Sequence, residues 1–217
     1  MKLDLSSILK KQEPLCDELQ NHLVKGEKFN YITHPLLISV PYFEETNALM
    51  NTQLKVRKEA AKKHLKNKNF SSYIFLHEKP YMLEAFLEVM FELNDKEYWQ
   101  NLRSIWESIE NNWQNLKIWK TLLNSDRGSR EYFMDDEEKI FFDSLPNQIT
   151  IHRGHTFNNK NGFSYTLDYE KAVWFSKRFN KKGAVLTKII DKSDAFAYLS
   201  GEKEIIYLKS THAKRKD

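Results

Sequence analysis

The sequence predicts an α+β protein, with a helical N-terminal region over residues 1–145 and a small mixed or antiparallel β-sheet over residues 146–217. Three observations predict it. Apolar residues in the first two thirds recur at spacings of three and four, the period of a helix with one buried stripe. After Pro146 the period changes to two and β-branched residues become frequent. Glycine (6) and proline (5) are sparse among 217 residues, so few turns and no flexible low-complexity linkers are expected. About sixty residues of sheet make little core of their own, so the helices are expected to cover one face of it in a single cooperative unit.

Taken in order, Leu5, Ile8, Leu9, Leu15, Leu19 and Leu23 have helical spacing, with Pro14 starting or dividing a helix. Residues 30–42 set Leu36, Leu37 and Ile38 between Pro35 and Pro41, which reads as a buried extended connection. Phe43 to Lys66 reads as a helix whose second half is basic: Lys55, Arg57, Lys58, Lys62, Lys63 and Lys66, with Lys68 just beyond. Such a charge run is first of all a solvated face. Leu83, Phe86, Leu87, Met90 and Phe91 predict a helix after Pro80. Asp95 reads as the N-cap of a long helix through Tyr98, Leu102, Ile105, Trp106, Ile109 and Trp113, continued by Trp119, Leu122 and Leu123. This tryptophan-rich stripe reads as core rather than as a cofactor box. A helix over 132–142 ends before Pro146.

The strands follow. Residues 148–153 alternate with period two, and 162–166 form a second short extended run. Asp168 caps an amphipathic helix, Tyr169 to Phe179, with Ala172, Phe175 and Phe179 inward. Gly183 turns the chain into a strand over 184–190, and 204–208 make a fourth. The tail from Lys209 is polar, basic and expected to fray.

Composition narrows the function classes. The net charge of +4 comes from 34 basic and 30 acidic residues, which permits nucleic-acid contact without demanding it. One cysteine, Cys16, leaves no internal disulfide and no thiolate metal cluster. There is no apolar run long enough for a signal peptide or a membrane helix, so the protein reads as cytoplasmic. His152 and His155 are three apart without a carboxylate or cysteine at metal-ligand spacing, so no metal is expected. No phosphate-cradling or dinucleotide-binding glycine pattern occurs.

Three clusters in the last third carry the chemistry. Arg153-Gly154 ends a strand, where the guanidinium can fork onto a phosphate and the glycine can let a ligand approach the backbone. Ser164-Tyr165-Thr166 places two hydroxyls on one face of a strand and a tyrosine on the other. Glu202-Lys203-Glu204 leads into Ile205-Ile206-Tyr207-Leu208, so two carboxylates enter an apolar strand on the same side. Like charges set together are costly unless they meet a cation or serve chemistry. A carboxylate facing a sugar ring can stabilise an oxocarbenium-like transition state.

In this order (a strand ending in Arg-Gly, Ser-x-Thr before a helix, Glu-x-Glu before an apolar strand) the segment resembles the Arg–Ser–Glu class of the ADP-ribosyltransferase superfamily, which includes bacterial toxins and arginine-specific transferases. The resemblance covers about 60 of the 217 residues and is closest at Ser200-Gly201-Glu202-Lys203-Glu204-Ile205-Ile206. The middle motif departs from it, reading Ser-Tyr-Thr rather than Ser-Thr-Ser. The resemblance implies a mono-ADP-ribosyltransferase that uses NAD as substrate. Arg153 would contact the phosphates and the Gly154 backbone the nicotinamide amide. Ser164 would brace the site, with Thr166 in the third position of that motif. Glu204 would bind the nicotinamide ribose, and Glu202 would orient an arginine acceptor. The loop 191–200 would meet a macromolecular target, a protein or a nucleic acid.

Two other readings stand beside it. One is a non-enzymatic protein that binds an acidic protein or nucleic acid through the Lys55–Lys68 face and the Ala213-Lys214-Arg215-Lys216 tail. The other is a hydrolase using His152 or His155 with Glu204.

Overall fold

The computed structural model describes residues 13–109, 112–178 and 182–209. Leu5, Ile8 and Leu9, Phe179, the Trp113 side chain and the basic tail 213–216 lie outside the described residues. Eight α-helices and two antiparallel sheets, of three and five strands, are described. The chain divides into two compact units, Met1–Glu97 and Tyr98–Asp217.

In the first unit a short helix α1 (Asp17–Gln20) precedes strands β1 (Leu23–Lys25), β2 (Asn30–His34) and β3 (Leu37–Pro41), which pair in sequence order. The extended connection expected over 30–42 is therefore a hairpin with a third strand beside it. Pro35 falls between β2 and β3, and Pro41 ends the edge strand β3, where a missing N–H costs least. Leu15, Leu19, Ile32, Leu37, Met50 and Leu54 form the core beneath this sheet. Helix α2 (Asn47–Lys66) carries the basic run, and Lys55, Lys62, Lys63 and Lys66 on it are exposed. Lys58 instead pairs with Glu18 at 2.5 Å. Helices α3 (Phe70–Leu76) and α4 (Met82–Val89) follow.

Helix α5 (Asp95–Ser108) crosses from one unit into the other. Asn94, not Asp95, caps it: Asn94 Oδ1 accepts from the Glu97 amide at 2.9 Å, and Glu97 Oε2 accepts from the Asn94 amide at 3.2 Å. The expected continuous stripe breaks after Ser108, and Trp119 sits on a separate helix, α6 (Leu116–Leu123). Helix α7 (Asp136–Ser144) starts later than the period suggests because Asp135 and Glu138 form a reciprocal cap.

Strands β4 (Gln148–His155), β5 (Ser164–Thr166), β6 (Ala184–Asp191), β7 (Ala197–Leu199) and β8 (Glu204–Ile206) form one sheet in the order β6-β4-β5-β8-β7. Helix α8 (Tyr169–Lys177), capped by Asp168, lies between β5 and β6 in the chain and packs on β4. The change of period at residue 146 separates helix from strand, but the compact unit begins at Tyr98. The sheet takes its cover from the preceding helices: Trp99 lies 5.9 Å from the Phe196 ring, and Met134 and Phe142 pack on Ile149, Ile151, Tyr165, Tyr198 and Ile205. No described helix is long and apolar enough to cross a membrane.

A buried carboxylate on the five-stranded sheet

Strand register sorts the candidate residues by face. Side chains on paired residues share a face, and the face alternates along each strand. His152 pairs with Thr166 and Thr166 pairs with Glu204, so His152, Gly154, Ser164, Thr166 and Glu204 belong to one face. Arg153, Tyr165 and Ile205 belong to the other, the face of the apolar cluster.

Glu204 is the chemically unusual member. It is only 9% exposed, at the first position of a strand whose three residues are all buried. The Trp106 indole N–H, from helix α5, donates to both carboxylate oxygens at 3.2 Å. The Ser164 hydroxyl bonds the same carboxylate from the neighbouring strand. Trp106 is in turn fixed edge-on against Trp119, with ring centres 4.9 Å apart. Burial pushes the Glu204 carboxyl above its ordinary pKa. The Ser164 and Trp106 bonds and the Arg153 charge pull it down, and the Glu107 carboxylate pushes it up again. A carboxylate enclosed by tryptophan and held by two neutral donors can stabilise a cationic centre brought against it, because none of the described residues forms an ion pair with it.

Arg153 reaches this carboxylate through space from the opposite face. Pairing between β4 and β5 is limited to His152 with Thr166, and beyond it the guanidinium bonds backbone oxygens: Nη1 donates to Ser164 O at 2.5 Å and Nη2 to Asn159 O at 2.8 Å. Gly162 leaves room for this arrangement: a Cβ on it would stand 2.1 Å from Arg153 Nη2 and push the guanidinium aside. Both prongs are thus tied to main chain, and the Nε–H is buried without a partner. Desolvation lowers the pKa of the guanidinium, opposed by Tyr165 and Glu204.

The remaining candidates have other duties. Gly154 serves close packing: a Cβ there would lie 2.0 Å from Ala172 O and 2.6 Å from Ser176 N of helix α8. Approach of a ligand to that backbone, expected from the sequence, is blocked on this side by the helix. Thr166 is buried; its hydroxyl donates to Glu202 O at 3.0 Å and accepts from the Asp168 amide at 3.1 Å, which locks the 200–203 turn to the start of α8. Glu202 does not enter the strand beside Glu204. Lys203 adopts a left-handed φ of 47°, so the alternation starts only at Glu204. Glu202 stays exposed in the turn and pairs with Lys171 at 2.7 Å.

The two histidines do not converge. His152 Nδ1 shares a hydrogen with Thr187 Oγ1 at 2.9 Å, and His155 Nδ1 meets Thr156 O at 3.1 Å. The described residues include no group of three or more His, Cys, Asp or Glu placed to hold a metal ion. The loop expected to meet a target, 191–200, contains strand β7. Sequence reasoning missed Trp106 as a site residue because its helical spacing is also what a core stripe requires. No family model, curated protein or solved structure matches the chain.

Proposed function

We propose that this protein is an NAD-dependent mono-ADP-ribosyltransferase acting on a macromolecular acceptor, with Glu204 as its central residue. The observation that carries the reading is the buried Glu204 carboxylate, bonded by Ser164 and within electrostatic reach of Arg153 on adjoining strands. In the reaction the bond between the nicotinamide nitrogen and the ribose carbon breaks, and the electron pair leaves with nicotinamide. Glu204 faces the oxocarbenium-like centre that remains. An acceptor nucleophile then bonds to that carbon and gives up its proton.

The residues fit the ribose end of NAD best. Ser164 already holds one carboxylate oxygen, and the acceptor capacity of the carboxylate exceeds the two donors on it. Arg153 fits the phosphates only if one prong leaves Ser164 O or Asn159 O. Glu202 fits an arginine acceptor only in exchange for Lys171.

The test is nicotinamide release from NAD, with transfer of labelled ADP-ribose onto lysate protein and nucleic acid. Release by the wild-type protein, reduced about a hundredfold or more in Glu204→Gln, is expected from loss of charge stabilisation in a water-poor site. No release, or equal release by the variant, overturns the reading. A second reading, binding of an acidic partner through α2, is favoured by the exposed Lys55, Lys62, Lys63 and Lys66. It predicts polyanion binding that falls steeply with salt.

A further inference from the structure

The face of the five-stranded sheet opposite Glu204 carries a second polar cluster. Lys188 pairs with Ile151, and Arg153 pairs with Leu186 two residues along, so Lys188 and Arg153 share a face and are diagonal neighbours across β4 and β6. Tyr165 lies on the same face of β5, and Tyr207 follows β8 with the same alternation. Lys188 Nζ sits 5.3 Å from the Tyr165 ring centre and 4.9 Å from that of Tyr207, and the two rings meet edge-on at 5.8 Å. The Arg153 charge and the Tyr207 hydroxyl both act on the Tyr165 hydroxyl.

This cluster is rich in donors and poor in acceptors. The ring faces balance part of the ammonium charge but accept none of its three N–H bonds well. Among the described residues none pairs with Lys188 as a counter-ion, and none bonds the hydroxyl of Tyr165 or Tyr207. Burial alone moves the Lys188 pKa, downward, with no carboxylate opposing it. Glu204 is the one carboxylate that acts on Arg153, from the other face. One free ammonium and two phenol O–H groups, with no acidic partner for them among the described residues and the Arg153 charge behind them, are the complement of a compact, multiply charged oxyanion.

We propose that Lys188, Tyr165 and Tyr207, backed by Arg153, form a phosphate-binding site separate from the Glu204 site. The ligand is a phosphate group, free or carried as the monoester of a small molecule. Lys188 supplies the charge, the two tyrosine hydroxyls orient the oxygens, and the Arg153 guanidinium adds attraction from within the sheet. Only Arg153 is shared with the transferase reading, and the variants below, at Lys188 and Tyr207, leave Arg153 and Glu204 in place, so failure of one reading is distinguishable from failure of the other.

The experiment is a titration of the full chain at fixed ionic strength, read by calorimetry and by phosphorus-31 NMR line width, with orthophosphate in one arm and AMP in the other. Saturable binding in either arm, weakened about tenfold in Lys188→Met and several-fold in Tyr207→Phe, is expected from loss of one charged and one neutral hydrogen bond. Binding of orthophosphate identifies a free-anion site, and binding of AMP alone identifies a phosphomonoester site. Lys188→Arg should retain binding, which separates loss of charge from loss of fold. Absence of saturable binding in both arms, or binding by Lys188→Met or Tyr207→Phe as tight as that of the wild type, overturns the proposal.

Discussion

Two buried carboxylates lie in the second unit, and their surroundings could hardly differ more. Glu138, at the N-terminus of α7, is 1% exposed and fully occupied. Arg103 donates to both of its oxygens at 3.0 and 3.1 Å, the Ser200 amide and hydroxyl add bonds at 2.8 and 3.1 Å, and the Asp135 amide adds one at 3.0 Å. Glu204 is 9% exposed and has one indole N–H shared between its oxygens, one serine hydroxyl and, among the described residues, no ion pair. The first carboxylate ties a helix to a strand end. The second keeps unused capacity in a dry place. Burial alone therefore does not single out a candidate acid; burial without full compensation is what sets Glu204 apart.

The comparison can be broken at several points. The largest effect on stability is expected at Glu138. Replacing it with Ala leaves Arg103 with Glu107 at 3.2 Å and Asp135 at 3.6 Å but strips the Ser200 amide and hydroxyl and the Asp135 amide of their acceptor. At about 1–3 kcal/mol for each buried donor left unpaired, the loss by urea unfolding should reach about 3–5 kcal/mol. A loss below about 1 kcal/mol would mean that Glu138 is no structural anchor. Trp106→Phe keeps the ring and removes the N–H. It should cost about 1.5–3 kcal/mol, the range for a bond to a charged group, and should move the Glu204 titration to higher pH because a donor to the ionised form is lost. Under the transferase proposal, the pH profile of nicotinamide release reads that shift.

Glu204→Gln should behave in the opposite sense to Glu138→Ala. A carboxyl whose folded pKa is raised favours the fold while protonated, and that contribution disappears as pH climbs through the folded value. The wild type and the Gln variant should thus be similar in stability below the ordinary value of 4.5, and the variant should gain relative to the wild type above it. Unfolding free energies measured across pH would sink this expectation if the difference stayed flat. The smallest effect belongs to Glu202: Lys171→Ala removes an exposed ion pair and should change stability by about 0.2–1 kcal/mol.

Much of the second unit was legible in the sequence. The period-two run at 148–153 is β4, the Asp168 cap opens α8, and Ala184 and Glu204 begin β6 and β8. These features are local, set by alternation, β-branching and a side chain that caps its own helix. Strand β7 was not legible, because Ala197-Tyr198-Leu199 is too short to show a period and is a strand only by pairing with β8. The three-stranded sheet was hidden in the same way, since proline and short runs obscure strands that pairing reveals. Of the candidate residues, the alternation rule correctly put Ser164 and Thr166 on one face. It failed for Glu202 and Glu204 because Lys203 turns left-handed between them.

The sequence by itself determined the α+β class, the change of period after Pro146, and the positions of Arg153, Ser164 and Glu204 on strands or at their starts. Those follow from spacing and from residue types that act within a few positions of themselves. Only the tertiary structure decided what these side chains meet. Trp106 covers Glu204 from 98 residues away, Arg153 turns its prongs onto backbone oxygens, and Lys188 gathers beside Tyr165 of β5 and Tyr207 just past β8. The difference has one cause: a carboxylate's protonation and a cation's partners depend on everything within a few ångströms, and strand pairing brings together residues whose separation along the chain carries no period at all.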